Sequence, residues 1–204
     1  MQNMTRRVLA VAGLALMVTA SAASAQAPVR VRGEITKVDG TTLSVKTREG
    51  QNVTVKLAEP PRIAAMEKSS LADIKEGSFI GVSAMPQPDG SQKAYGIHIF
   101  MDAQKGVVAD RFSDWDGRPG STMTNANVAT TVSGKDGQEL LVKYKDGEKK
   151  VIVPPGIPIA RYMPGSAEDL KVGKKVFVAG AAKQADGSLL APNIAVGRSI
   201  DPPQ

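Results

Sequence analysis

The sequence predicts an all-β protein made of two small five-stranded barrels in tandem, and three observations carry the prediction. Short runs in which Val, Ile, Leu and Thr alternate with charged residues recur along the chain, each closed by a turn containing Gly. One phrase occurs twice: Asp73-Ile74-Lys75-Glu76-Gly77 leads into Phe79-Ile80-Gly81-Val82, and Asp169-Leu170-Lys171-Val172-Gly173 leads into Val176-Phe177-Val178. Aromatic residues make up only 4% of the chain against 20 Gly and 13 Pro, so the cores must be built from Val, Ile, Leu and Ala and joined by many turns.

Residues 1–25 carry the three parts of a secretory signal: basic Arg6-Arg7, an apolar stretch from Val8 to Ala20, and Ala23-Ser24-Ala25 as the cleavage site. The apolar stretch is shorter than the ~20 residues a membrane span needs, so cleavage after Ala25 and delivery to the periplasm are expected. The arginine pair also fits a twin-arginine signal, which leads to the same compartment. Without Arg6 and Arg7 the formal charge of +6 falls to +4, and acidic and basic residues alternate thereafter, so no polybasic nucleic-acid arm is present. The chain has no Cys, which excludes disulfides, thiolate metal sites and a cysteine nucleophile.

The first unit opens with Val29, Val31 and Ile35 alternating with Arg30, Arg32 and Glu34 as far as the Asp39-Gly40 turn. Leu43, Val45 and Thr47 follow, then Glu49-Gly50, then Val53, Val55 and Leu57 before Pro60-Pro61 ends the meander. Ser70-Leu71-Ala72-Asp73-Ile74 fits one helical turn, and strands over 79–84 and 94–100, parted by Pro88-Asp89-Gly90, complete the unit. The second half repeats this order about 97 residues later. Asp136-Gly137 answers Asp39-Gly40, Leu140 and Val142 answer Leu43 and Val45, Val151 and Val153 answer Val53 and Val55, and Ala191, Ile194 and Val196 answer Ala94, Ile97 and Ile99. Five strands with a short helical turn between the third and fourth is the topology of an OB-like barrel. The expected organisation is a signal peptide over 1–25, a first barrel over 28–101, a linker over 102–124, a second barrel over 125–199 and a tail over 200–204.

Gly33-Glu34-Ile35-Thr36-Lys37-Val38-Asp39-Gly40, Ile74-Lys75-Glu76-Gly77-Ser78-Phe79-Ile80, Asp89-Gly90 and Ile97 together resemble an exported bacterial β-barrel domain family of unknown function, with Leu170 to Val176 and Asp186-Gly187 as the second copy. Trp115-Asp116-Gly117-Arg118-Pro119-Gly120-Ser121-Thr122-Met123-Thr124-Asn125-Ala126-Asn127 is similar to a segment of small exported proteobacterial proteins often labelled metal-transporter permeases. A permease needs several apolar segments of ~20 residues, which this chain lacks, so the resemblance implies an architecture and an address without a catalytic residue.

His98 is the one His, in a strand and on the face opposite Ile97 and Ile99, where a surface or edge position is expected; no G-x-S-x-G elbow accompanies it. Asp110, Asp114 and Asp116 supply oxygens of the kind hard cations take, but at a spacing unlike a calcium loop, so a solvated acidic loop is expected; His98, Asp114 and Asp116 are the metal candidates. Trp115, the one Trp, is expected to pack between the barrels, or to form a binding site with Asp114, Asp116, Arg118, Asn125 and Asn127. Strands two and three, where OB-like barrels bind oligonucleotides, carry only Tyr144 as an aromatic, so nucleic acid is not an expected partner. The expected function is a periplasmic binding or structural module of the cell envelope, monomeric, without cofactor or enzyme activity, partnered by an envelope protein or glycan. The alternatives are a metal-binding accessory of a transport system and a hydrolase or lyase of envelope polymers that uses acidic residues.

Overall fold

A computed structural model describes residues 28–134 and 137–203, so the signal segment, Lys135-Asp136 of the expected turn and Gln204 lie outside the described residues. The fold is all-β. In chain order its strands are β1 (Val29–Asp39), β2 (Thr42–Thr47), β3 (Asn52–Leu57), β4 (Ile63–Lys68), β5 (Phe79–Pro86), β6 (Gln92–Ile99) and β7 (Arg111–Trp115). They continue as β8 (Ser121–Gly134), β9 (Gly137–Tyr144), β10 (Gly147–Val153), β11 (Ile159–Pro164), β12 (Lys175–Lys183), β13 (Leu189–Ala191) and β14 (Ile194–Gly197).

Five strands close a small barrel: β1 pairs with β2, β2 with β3, β3 with β13, β13 with β12, and β12 returns to β1. Its interior holds the inward residues of the alternating runs, among them Ile35, Leu43, Val45, Val55, Val176 and Val178, all fully buried. A second circuit of pairings runs from β5 to β8, β9, β10 and β6 and back to β5, around Ile80, Val82, Val128, Leu140, Val142 and Val151. Alternation at a period of two is what places each of these side chains inside, because neighbouring positions on a strand face opposite ways.

The pairing crosses the boundary expected between contiguous units. The barrel around Ile35 takes β1, β2 and β3 from the first half and β12 and β13 from the second, while the circuit around Leu140 takes β5 and β6 from the first half and β8, β9 and β10 from the second. Two copies of one strand pattern present the same alternation to either partner, so sequence pattern alone does not choose between pairing within a copy and exchange between copies. The expected linker is likewise structured. β7 and the start of β8 form a hairpin, with Trp115 opposite Ser121, and β8 continues from it into the circuit.

Two further strands join the circuits. β4 and β11 occupy corresponding places in the two copies and pair antiparallel with each other, Met66 opposite Tyr162, so an internal two-fold axis passes between them. β4 also lies parallel to β14, and β11 parallel to β6. The seam is filled by Met66, Ala160, Tyr162, Phe177 and Ala195, with Phe100 and Trp115 packed against them. Single turns of 3-10 helix at Leu71–Asp73 and Ala167–Asp169 follow β4 and β11, one strand later than a turn between third and fourth strands. In each, the carboxylate of the last residue accepts from a backbone N–H three residues earlier, Ser70 to Asp73 at 3.0 Å and Ser166 to Asp169 at 2.9 Å. Gly77 and Gly173 then turn the chain at φ of 81° and 85°, which explains why the repeated phrase ends in Gly.

Candidate functional site

The hairpin is held to the first barrel through Trp115 and Asp116. On β1, residues 30 and 32 share the face opposite Val31, and both are Arg. Arg32 is 5% exposed, and its guanidinium carbon lies 4.7 Å from the Trp115 ring centre and 4.9 Å from that of Phe177. Arg30 stands 5.0 Å from the same indole. Asp116 closes the arrangement with two hydrogen bonds from Arg32, 3.0 Å from Nη1 and 2.7 Å from Nη2, and an ion pair to Arg30 at 3.4 Å. Partial burial pushes the Asp116 carboxyl up, but the Arg32 hydrogen bonds and the two cations outweigh it and hold the group below the usual carboxylate range. Trp115 therefore sits between the circuits, half-buried, as a plate against which a desolvated cation rests.

Behind this latch lies a cleft of about 220 Å³ on the parallel pair β6 and β11. Its polar lining comes from separate stretches of chain: Ser83 from β5, Tyr95 and His98 from β6, Arg118 from the hairpin and Asp201 from the tail. Its apolar floor is Met66, Ile97, Pro158 and Ala160. Arg118 lies over the Tyr95 ring at 4.0 Å, and the Tyr95 hydroxyl donates to Ser121 Oγ at 3.2 Å. Ser121 Oγ also accepts from the Arg118 N–H at 3.1 Å and donates to the Arg118 carbonyl at 2.7 Å, which fixes the turn that carries Arg118.

His98 departs from the surface or edge position expected of it. It is 7% exposed, because the face of β6 opposite Ile97 looks into the seam rather than toward water. Its ring meets Phe100 and Tyr162 edge-on, with centres 4.8 and 5.5 Å away, and rests on Gly81, where a Cβ would collide with Nε2. Burial alone pushes its pKa down to about 4, so the imidazole is neutral at pH 7. Burial likewise pushes the Tyr162 hydroxyl up.

The other candidates do not converge. Asp114 is exposed on the hairpin, and both oxygens of Asp116 are engaged by Arg32. Among the described residues no three His, Asp or Glu side chains form a metal-binding group. Asn125 donates from Nδ2 to the Ala109 carbonyl at 3.2 Å, and the Oδ1 atoms of Asn125, Asn127 and Asp110 are buried without a hydrogen-bond partner. Tyr144 is joined by Phe112 from β7, with ring centres 6.2 Å apart, and by Lys149 over the Phe112 ring at 4.7 Å.

Sequence reasoning missed Ser83, Tyr95 and Asp201, yet a signal was there. In the second copy Ala179 stands for Ser83, Pro192 for Tyr95 and Ala195 for His98, and in the first copy Gln104 stands for Asp201, so the cleft is where the copies differ in chemistry while keeping the same frame. The two copies fill the seam in opposite ways. His98 on β6 lies across from Gly81 on β5, and Ala195 on β14 lies across from Phe177 on β12, so each pair supplies one ring and one small residue. Comparison of the chain with family models, with curated proteins and with solved structures finds no match.

Proposed function

We propose that the protein is an exported binding module of the bacterial cell envelope rather than an enzyme, with the cleft of Tyr95, His98, Arg118 and Asp201 as its ligand site. The reading extends the resemblance to exported β-barrel domains of unknown function. The observation that carries it is the convergence of polar side chains from four separate stretches on one cleft, with a neutral, ring-packed imidazole that hydrogen-bonds no nucleophile among the described residues. A guanidinium braced on a tyrosine ring beside a carboxylate suits a polar, sugar-sized unit of an envelope glycan, held by hydrogen bonds and not transformed.

The test is thermal denaturation of the exported protein with envelope glycan fragments. A fragment that binds only the native state raises stability by RT ln(1 + [L]/Kd), about 2.7 kcal/mol at a hundredfold excess over Kd, and Arg118→Ala removes the rise. Hydrolysis of a fragment by the purified protein would overturn the non-enzyme reading. Mass spectrometry of the exported protein tests the address, with Gln26 expected as the first residue.

A further inference from the structure

The internal two-fold axis that creates the cleft on β6 and β11 creates a second one on β14 and β4, where Ile194 pairs with Ile63 and Ala195 with Ala64. This second cleft encloses about 330 Å³, at the low end of the range that accepts a small organic ligand. Its chemistry differs from the first at matched positions. Tyr162 stands where the first has Met66, Gln104 where it has Asp201, and Arg62 where it has Pro158. Phe177 adds a second ring to the wall. The outcome is an apolar box with two aromatic side chains and a rim of Arg62, Gln104 and Asn193, without a carboxylate in its lining. Arg62 is exposed and makes no ion pair with any described residue.

A free cation flanked by amides at the mouth of a ring-walled apolar box selects a ligand with a flat apolar body and one negative end. We propose that this second cleft is a binding site for an aromatic monocarboxylate, its ring against Tyr162 and Phe177 and its carboxylate on the Arg62 guanidinium. The first cleft is the poorer host for the same molecule, because its guanidinium, Arg118, already lies over the Tyr95 ring at 4.0 Å and its lining includes the Asp201 carboxylate, ion-paired to Lys175. The inference stands on this cleft alone and goes beyond the glycan site proposed above.

Phenylacetate is the probe, titrated into the purified protein and followed by two-dimensional amide NMR. Shifts are expected at Ile63, Ala64, Ile194 and Ala195, with Kd on the order of 1 mM for a ligand of this size. Phenylacetamide, which keeps the ring and loses the charge, is expected to bind about tenfold more weakly, and Arg62→Gln to weaken phenylacetate by a similar factor. Arg118→Gln, which alters only the first cleft, is expected to leave the phenylacetate Kd and the shifts at Ile63, Ala64, Ile194 and Ala195 unchanged, which separates the two sites. Shifts centred on Tyr95 and His98 instead, equal binding of acid and amide, or no shifts up to about 10 mM ligand would each overturn the proposal. None of these results touches the glycan reading, whose own test is the effect of Arg118→Ala.

Discussion

Replacing His98 by Leu should change how the protein responds to acid more than how stable it is at neutral pH. In the native state burial holds the imidazole pKa at about 4, whereas in the unfolded chain it returns to its ordinary 6.5. The groups facing the ring are the Tyr162 and Phe100 side chains and the Gly81 backbone, with Arg118 and Asp201 further along the same cleft. Between pH 6.5 and 4 the unfolded state binds a proton that the native state refuses, so stability is complete above pH 6.5 and falls as the pH drops toward 4. A gap of this size corresponds to roughly 3 kcal/mol, or a fall in Tm of about 6 to 12 °C for a chain of this length. Carboxylates such as Asp116, held low by arginines, add their own losses at lower pH in both proteins and cancel in the comparison. Urea denaturation of wild type and His98→Leu at intervals from pH 7.5 to 4 measures the difference directly. The two stability curves, close together at pH 7.5, should separate as the pH falls, wild type losing roughly 3 kcal/mol more than the variant by about pH 4; parallel curves would show that the imidazole keeps its ordinary affinity for protons in the native state.

The complementary small and large residues across the seam predict that Gly81→Ala, whose new Cβ meets the His98 ring, costs about 1 to 3 kcal/mol. Gly81→Phe combined with His98→Ala copies the second half's arrangement and should be more stable than either single variant, read by Tm; a double variant as weak as the sum of its parts would refute the equivalence of the two pairs. Asp116→Ala leaves Arg32 buried between two rings without its counterion and should cost about 1 to 3 kcal/mol, with a red shift in the emission of the single Trp115. Leu140→Ala, at a fully buried core position, should cost about 2 to 5 kcal/mol in urea denaturation. Lys56→Met removes an exposed ion pair to Asp186 that also joins the two halves, and should change stability by less than about 1 kcal/mol.

The strands and their inward faces were legible because alternation survives without tertiary context. Leu43 and Val45, and their counterparts Leu140 and Val142, are fully buried as their spacing implies. β4 and β11 were not legible: Ile63-Ala64-Ala65-Met66 and Ile159-Ala160-Arg161-Tyr162 lack a clean alternation, because one face of each strand, through Met66, Ala160 and Tyr162, fills the seam while Ile63 and Ile159 on the other face pack against the two cores and Arg161 stays exposed. His98 was misplaced for the same reason, since periodicity says which face a residue takes but not what covers that face. Trp115 stood out by composition, yet its partners Arg30, Arg32 and Phe177 lie far away in sequence and only the fold brings them together. The clefts were hidden still more deeply, because each is bounded by strands of both copies and its polar residues share no local motif.

The exchange of strands between copies has a consequence for the order in which the chain can fold. Val31 finds its strand partner only in Val178, and β3, paired on one side with β2, finds its second neighbour only in β13, with Val55 opposite Leu189, so the N-terminal meander stays an open sheet until almost the whole chain is available. Closure over such distances is slow and leaves the edges of β1 and β3 unpaired in the meantime. Under the export proposed above, an unfolded route across the membrane would gain from this delay, since no early domain can lock before the last strands emerge. The same wiring makes truncation damage remote: a stop after Pro164 removes β12, β13 and β14, and the barrel it opens is the one whose first three strands it leaves untouched.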